Sequence, residues 1–179
     1  EMGFLSTSEV IDCSATDMIG EYVGQTGPKV VKLLERALGK VLFIDEAYRL
    51  AGESTGNCSS FASEAVGELV DCMTKPRYAR KLVIVLAGYS DDMDRLLHIN
   101  TGLRSRFPTD IVFPSMSPAH CVEYLEMQLG KLQIRVDRSL SSSEGKYEAV
   151  LDLFAQLQRT RSWANARDVE TLARNITFE

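Results

Sequence analysis

The sequence lacks the features that mark secreted, membrane-spanning and nucleic-acid-binding proteins. No C-x-x-C pair occurs among its four cysteines, which are Cys13, Cys58, Cys72 and Cys121. Reduced thiols are therefore favoured over a zinc site or a disulfide framework. No apolar run approaches the roughly 20 residues that a membrane-spanning helix needs. The formal net charge of −5 provides no basic field for nucleic acid or an anionic membrane. We expect an intracellular protein, cytoplasmic or in an organelle matrix, that binds neither nucleic acid nor a membrane directly.

The first part of the chain alternates strand-like and helical patterns. We expect strands at 9–13, 40–45, 82–87 and 109–113. Helices are predicted at 28–38 and 61–73, and Ser90 is predicted to cap a third helix whose first turn carries Asp91 and Asp92. Because strands that alternate with helices are joined by right-handed crossovers, an α/β fold with a parallel sheet is predicted.

After Pro114 the pattern becomes entirely helical. Ser117 and Pro118 are typical of the start of a helix, which we expect to run to about Leu132. A loop is predicted at 137–146, and further helices at 147–158 and 165–175. The sequence thus predicts an α/β subdomain over residues 1–114 and a small all-α subdomain over residues 115–179.

The stretch "KVLFIDEAYRL", residues 40–50, is the strongest candidate for a functional site. Its apolar run, Val41 to Ile44, is typical of a strand covered on both faces, and it leads directly into Asp45 and Glu46. Ligands bind beyond the carboxyl ends of the strands of α/β sheets. One acid can hold Mg²⁺ through water while its neighbour orients an attacking water, as in a Walker B motif. An acidic turn without a function is the alternative, and the motif alone does not decide between them.

Other segments add candidate residues. "GLRSRF" places Arg104 and Arg106 just before the predicted fourth strand, where either could act as an arginine finger, although surface arginines are usually only solvated. "NARDVETL" places Arg167 at the start of a helix, from which it could reach phosphate oxygens. In "EYVGQT", Tyr22 is either a core aromatic or, between Gly20 and Gly24, part of a mobile loop.

The order of "EYVGQTGPK", "VLFIDEAYRL", "VLAGY", "GLRSRF" and "NARDVETL" resembles the AAA+ ATPases of the CbbX and stage V sporulation protein K group over nearly the whole chain. The resemblance implies a P-loop NTPase-like α/β subdomain followed by a helical lid. It also implies ring oligomers, usually hexamers, that use ATP and Mg²⁺ to remodel or thread a protein client.

The resemblance also implies roles for individual residues. Asp45 would be the Walker B acid on the magnesium side, and Glu46 the catalytic base. Arg106, or else Arg104, would be the arginine finger, and Arg167 the lid arginine. The segment Tyr22-Val23-Gly24 would be a pore loop. Where many AAA+ proteins carry a polar sensor 1 residue, this chain has Gly88-Tyr89, and that role stays unassigned.

The main departure from the family pattern is the phosphate-binding loop. Its motif, G-x-x-x-x-G-K-S/T, is absent, because the three Gly-Lys pairs are followed by Val41, Leu132 and Tyr147. In the family this loop precedes the strand predicted at 9–13. We therefore expect the chain to start downstream of its own phosphate site, to belong to something longer, and to be inactive alone.

Two alternatives to a working AAA+ ATPase remain, a second enzyme class and a non-catalytic module. Asp45-Glu46-Ala47-Tyr48 resembles the D-E-A-x box of helicases, and the S-A-T at 14–16 resembles a second helicase motif. That motif should follow the acidic box, however, and here it precedes it. The other alternative is a non-catalytic fragment or pseudo-ATPase that serves as an oligomerisation or partner-binding module.

Overall fold

The computed structural model describes residues 5–52, 57–134 and 146–176, without the side chains of residues 57–59. Two compact units divide the chain, Glu1–Val112 and Phe113–Glu179. The first contains the sheet, and all helices described in the second belong to a separate small core. The predicted combination of an α/β part and a helical part is confirmed.

The sheet of the first unit has three described strands. They are β1 (Val10–Ser14), β2 (Val41–Asp45) and β3 (Val83–Leu86), parallel and in the order β1-β2-β3. The central strand β2 buries Leu42 and Ile44 completely on one face, whereas Val41 and Phe43 on the other face are half-buried, so the cover that its apolar run predicts is complete on one face only. In the parallel register Ser14 lies beside Asp45, so β1 and β2 end at the same edge.

Helices pack around this sheet. In chain order they are α1 (Ala15–Met18), α2 (Thr26–Arg36), a 3₁₀ helix (Ala47–Ala51), α3 (Asn57–Thr74), α4 (Ser90–Ile99) and α5 (Thr101–Arg106). In α2 the buried residues Val30, Leu33 and Leu34 follow helical spacing and contribute to the core. The helices predicted at 28–38 and 61–73 are confirmed with shifted ends, whereas α1, the 3₁₀ helix and α5 were not predicted, because such short elements carry little periodicity.

The prediction of a fourth strand at 109–113 is wrong. The segment has no regular secondary structure, and Ile111, Val112 and Phe113 are exposed. A cleft of about 360 Å³ is lined by Val83 and Ile84 of β3 and by residues 106–109. A β-strand needs a neighbour for its N–H and C=O groups, and within the described chain this segment has none.

Ser90 is not the cap of α4. The carbonyl of Tyr89 already accepts the N–H of Met93 at 2.8 Å, so the helix begins one residue earlier than predicted. Asp91 and Asp92 do lie in its first turn, where they complement the helix dipole.

The second unit consists of α6 (Pro118–Lys131), α7 (Lys146–Leu157) and α8 (Ala166–Ile176) within the described chain. Ser117 caps α6 as predicted, because its hydroxyl accepts the N–H of His120 at 3.2 Å. The core contains Cys121, Val122, Phe154 and Val169. The helices predicted at 147–158 and 165–175 are confirmed within one residue, and the loop predicted at 137–146 lies, apart from Lys146, outside the described residues.

The described cysteines behave as reduced, inert thiols. Cys13, Cys72 and Cys121 form no disulfide, and the Cys58 side chain lies outside the described part. Burial raises the pKa of Cys13 to about 11, helped by Asp17, and burial likewise raises that of Cys72 to about 11. Because the thiolate is the nucleophile, neither thiol is reactive at neutral pH.

Across the described ranges, no helix combines the length and apolarity needed to cross a bilayer.

Candidate functional site

The two adjacent acids stand at the carboxyl edge of the sheet. Asp45 is the last residue of β2 and is exposed, and one of its oxygens, Oδ1, accepts the backbone N–H of Glu46 at 2.9 Å. Parallel strands of an α/β protein present their ligands at this edge. The sequence therefore placed these residues correctly, at the end of a buried central strand.

Glu46 lies at a sharp turn between β2 and the 3₁₀ helix. Its φ of 50° and ψ of 38° put it in the left-handed region, which non-glycine residues seldom adopt. Hydrogen bonds on either side hold this turn, because the Ala47 N–H donates to the Ala87 carbonyl and the Ala87 N–H donates to the Ile44 carbonyl, both at 2.9 Å. The residue after β3 thus fixes the backbone of Glu46. Strained backbone conformations that are held by their surroundings in this way are concentrated at functional sites.

Both carboxylate oxygens of Glu46 have a partner nearby in sequence. The Tyr48 hydroxyl donates to Oε1 at 3.2 Å, and the Arg49 guanidinium lies 2.7 Å from Oε2. The Tyr48 ring in turn lies 6.1 Å from the Tyr89 ring, centroid to centroid. Sequence reasoning missed Tyr48, Arg49 and Tyr89 as parts of the site, and only the spacing of Tyr48 and Arg49 from Glu46 could have indicated the first two.

The donor set of this edge suits a magnesium ion held mainly through water. Mg²⁺ usually takes one or two carboxylates together with substrate phosphates and keeps several waters. Asp45 offers one exposed carboxylate of this kind. Among the described residues no group of three or more His, Cys, Asp or Glu side chains could enclose a metal. A site that depends on nucleotide phosphates fits these residues better than an all-protein metal site.

Arg104 and Arg106 lie on the short helix α5, which the sequence analysis had not predicted. Asn100 caps this helix, its side-chain oxygen accepting the N–H of Leu103 at 3.0 Å. The Arg104 side chain is exposed, whereas Arg106 is partly buried and donates to the carbonyl of Gly102 at 2.8 Å. Because α5 ends at Arg106, both arginines occupy its last turn.

The predicted pore-loop residues lie on an exposed loop between α1 and α2. Tyr22 is 67% exposed and Val23 is 89% exposed, so Tyr22 is not a core aromatic. Gly24 has a φ of 82°, which favours glycine. The base of the loop is held by Thr26, a completely buried residue whose hydroxyl oxygen accepts the Gly20 N–H at 3.1 Å. The loop therefore presents apolar side chains to solvent from a fixed base.

Arg167 belongs to the second unit, where it occupies the first turn of α8 and is exposed. The helix starts after Asn165, which has a φ of 51°, and the Asp168 carboxylate accepts the N–H of Ala164 at 2.7 Å. These contacts fix the start of the helix and leave the Arg167 side chain directed to solvent.

The S-A-T segment at 14–16 has a local structural role. The Ser14 hydroxyl accepts the N–H of Thr16, and the Asp17 carboxylate accepts the N–H of Ser14, which forms a capping box at the start of α1. The segment is thus accounted for as a helix start, so it gives the helicase alternative no further support.

Comparison with known proteins identifies the family. Residues 2–115 match the model of the ATPase family associated with various cellular activities, AAA. The chain belongs to the AAA ATPase family. The P-loop NTPase-like character predicted for the α/β part is thereby confirmed, although the phosphate-binding loop itself is not in the sequence.

Individual relatives support the narrower resemblance. The chain is 40% identical over 169 residues to the ESX-1 secretion system protein EccA1 of Mycobacterium leprae, an alignment covering 94% of this chain and 28% of the relative. It is 37% identical over 138 residues to stage V sporulation protein K of Bacillus subtilis, covering 77% and 41%. It is 33% identical over 168 residues to protein CfxQ of Xanthobacter flavus, covering 94% and 50%. The group named from the sequence is confirmed, and the chain spans half or less of the length of these relatives.

Proposed function

We propose that the chain is the central and lid part of an AAA+ ATPase in which Asp45 holds Mg²⁺ through water and Glu46 is the general base for the hydrolytic water. The observation that carries this proposal is the position of the two acids at the carboxyl edge of the central strand, in a chain of the AAA family. The magnesium ion, when bound, would neutralise charge on the phosphates. Glu46 would then take the proton of the attacking water.

The phosphate cradle in this proposal comes from a segment outside these 179 residues. Two observations support that idea besides the missing motif. The alignments cover only 28% and 50% of the length of two of the relatives that match. In addition, β3 lies at the edge of the described sheet, and its residues Val83 and Val85 are partly exposed. The apolar segment 109–113 pairs with none of the described strands. A further strand beside β3 would cover that apolar surface.

In the same proposal the remaining residues act on the nucleotide and on a protein client. Arg106, with Arg104 as the alternative, is the arginine finger supplied to a neighbour in a ring, which we expect to be a hexamer. Arg167 is the lid arginine. Tyr22, Val23 and Gly24 grip a threaded client, and the exposure of Tyr22 and Val23 supports this role. The protein is proposed to be intracellular and to contact neither nucleic acid nor a membrane directly.

The second candidate is a non-catalytic module for oligomerisation or partner binding. The missing phosphate-binding motif and the exposed apolar loop both favour it for these 179 residues alone. The two candidates differ in one measurable property, which is ATP turnover by the full-length protein.

The test is the variant Glu46→Gln in the full-length protein, phosphate-binding segment included. The amide keeps the size of the side chain but cannot take a proton, so we expect ATP binding to persist while turnover falls about 100-fold or more. Glu64→Gln, which neutralises an exposed glutamate of α3, is the matched control and should leave turnover unchanged. Unchanged turnover in Glu46→Gln would contradict the assignment, and absence of turnover in the wild-type protein would favour the non-catalytic module.

A further inference from the structure

The carboxylate of Glu46 is held from two sides by contacts of different strength. Arg49 reaches Oε2 at 2.7 Å, but both side chains are nearly half exposed, at 49% and 42%. Exposed ion pairs of this kind contribute little, because water screens the charges and both long side chains lose freedom. Arg49 is therefore a weak and adaptable partner, which cannot by itself fix the direction of the carboxylate.

Tyr48 is the more rigid partner. Its hydroxyl donates to Oε1 of Glu46 at 3.2 Å, and its half-buried ring faces the ring of Tyr89 at a centroid distance of 6.1 Å. A tyrosine has only two side-chain torsions to fix, so packing of the ring also fixes its hydroxyl. The position of that hydroxyl is thus determined by what packs against the ring.

The backbone that follows β3 also lies against the ring. A Cβ atom added at Gly88 would lie 2.9 Å from Cδ1 of Tyr48 and 2.9 Å from Sδ of Met93. Real Cβ atoms do not approach other atoms so closely, so the Tyr48 ring uses space that only a glycine leaves free. Gly88 and Tyr89 follow Ala87 in the segment between β3 and α4, and both lie against the Tyr48 ring.

We infer that Tyr48 is a positioning residue for Glu46 and that Gly88 and Tyr89 hold it in place. The inference rests on the proposed role of Glu46 as general base. It assigns a task to the Gly88-Tyr89 pair, which stands where many AAA+ proteins carry a polar sensor 1 residue. That task is to hold the Tyr48 ring. Through Tyr48, the orientation of the base depends on the turn between β3 and α4, so a movement of that turn changes the rate of hydrolysis.

The experiment measures kcat and KM for ATP in the full-length protein and in its Tyr48→Phe variant. Phenylalanine keeps the ring and removes the hydroxyl, so we expect kcat to fall about fivefold, equivalent to about 1 kcal/mol, with KM unchanged. Tyr78→Phe is the matched control, because it removes a tyrosine hydroxyl that donates to a different glutamate, Glu35, at 2.7 Å. Turnover of this control should equal that of the wild type. An unchanged kcat in Tyr48→Phe, or a raised KM with an unchanged kcat, would overturn the inference.

Two further variants separate a positioning role from a general structural one. In the Glu46→Gln background, Tyr48→Phe should cause no additional loss of the residual turnover, because a residue that acts through Glu46 has nothing left to position. A full additional fivefold loss would show that Tyr48 acts elsewhere. Gly88→Ala should reproduce the loss of kcat, because the added methyl group displaces the Tyr48 ring. In the Tyr48→Phe background, Gly88→Ala should lower kcat no further. An additional loss of kcat in this double variant would contradict the idea that Gly88 acts through Tyr48.

The outcomes distinguish this inference from the proposed function. If Glu46→Gln retains full turnover, the proposed function fails and the role of Tyr48 fails with it. If Glu46→Gln loses turnover while Tyr48→Phe does not, only the positioning role is wrong.

Discussion

Arg77 and Glu35 form a two-point ion pair that joins α2 to the turn after α3, with Arg77 Nε and Nη2 donating to the two carboxylate oxygens of Glu35. The Tyr78 hydroxyl adds a third hydrogen bond to Oε1 at 2.7 Å. Hydrogen bonds from Arg77 and then Tyr78 lower the pKa of Glu35 from its ordinary value of 4.5 to about 2. The ionised carboxylate is thus the form that the fold stabilises.

The first prediction is that Glu35→Gln lowers the denaturant midpoint at neutral pH and that this deficit disappears in acid. The pKa of Glu35 is about 2 in the folded chain and 4.5 in the unfolded chain. Between these two pH values the unfolded chain therefore binds more protons than the folded chain. The contribution of Glu35 is therefore complete above pH 4.5 and is lost as the pH falls toward about 2. Urea unfolding followed by circular dichroism across this range measures the difference between wild type and variant.

The control for this prediction is Glu123→Gln, which neutralises an exposed glutamate of α6. Its difference from the wild type should stay small at every pH. A deficit in Glu35→Gln that persists unchanged down to pH 2 would show that the variant loses packing rather than a charge interaction.

The second prediction concerns the base of the Tyr22–Gly24 loop. Thr26→Val keeps the shape of the side chain but removes the acceptor of the buried Gly20 N–H. A buried donor without a partner costs about 1–3 kcal/mol, so we expect the free energy of unfolding to fall by that amount. Thr26→Ser retains the hydroxyl and should lose less, and amide exchange at Gly20 should accelerate only in the valine variant. Equal stability of the valine variant and the wild type would contradict this account.

The third prediction is that these 179 residues alone bind ATP weakly or not at all. The acids supply the magnesium end of a nucleotide site, but the backbone amides and lysine of a phosphate-binding loop are missing from the sequence. Isothermal titration with ATP and Mg²⁺ measures the affinity. A dissociation constant in the low micromolar range would mean that the phosphates are held by residues other than those proposed.

The fourth prediction is that Arg106 acts on the nucleotide of a neighbouring subunit. An arginine finger is worth about 10³ to 10⁵ in turnover, because it neutralises charge that develops in the transition state. Arg106→Ala in the full-length protein should therefore abolish turnover while leaving ATP binding nearly intact. Arg104→Ala is the comparison, and it should have the smaller effect if Arg106 is the finger.

Mixing two inactive variants tests whether the arginine acts between subunits. In rings assembled from Arg106→Ala and Glu46→Gln proteins, some interfaces pair an intact Glu46 with a neighbour's intact Arg106, and turnover should partly return. Mixed rings that form, as labelled subunits would show, and yet remain inactive would contradict a role between subunits.

Much of the fold followed from local patterns. The apolar run of Val41 to Ile44 predicted a buried strand, and Ser117 followed by Pro118 predicted the start of α6. These predictions succeeded because a mostly buried strand and a helix cap each leave a signature within a few consecutive residues. The same reasoning placed Asp45 and Glu46 at the edge of the sheet, since a residue that ends a parallel strand must lie there.

The failures concern contacts between segments far apart in the chain. The segment 109–113 has a strand-like composition, but a strand exists only where another strand pairs with it, and none of the described strands does. For Tyr22 the sequence left a core aromatic as an alternative to a loop residue, and its 67% exposure in the tertiary structure excludes the core.

The sequence alone determined the three strands that the sheet contains, the family and the positions of the two acids, because strands and the family's motifs are each recognisable from short runs of residues. Only the tertiary structure decided how Glu46 is held. Its left-handed backbone depends on Ala87. The Tyr48 hydroxyl donates to its carboxylate, and the ring that carries this hydroxyl lies against Gly88 and Tyr89, about 40 residues further along the chain. Those contacts arise because β2 and β3 are adjacent in the sheet, and that adjacency is a property of packing that no local pattern records.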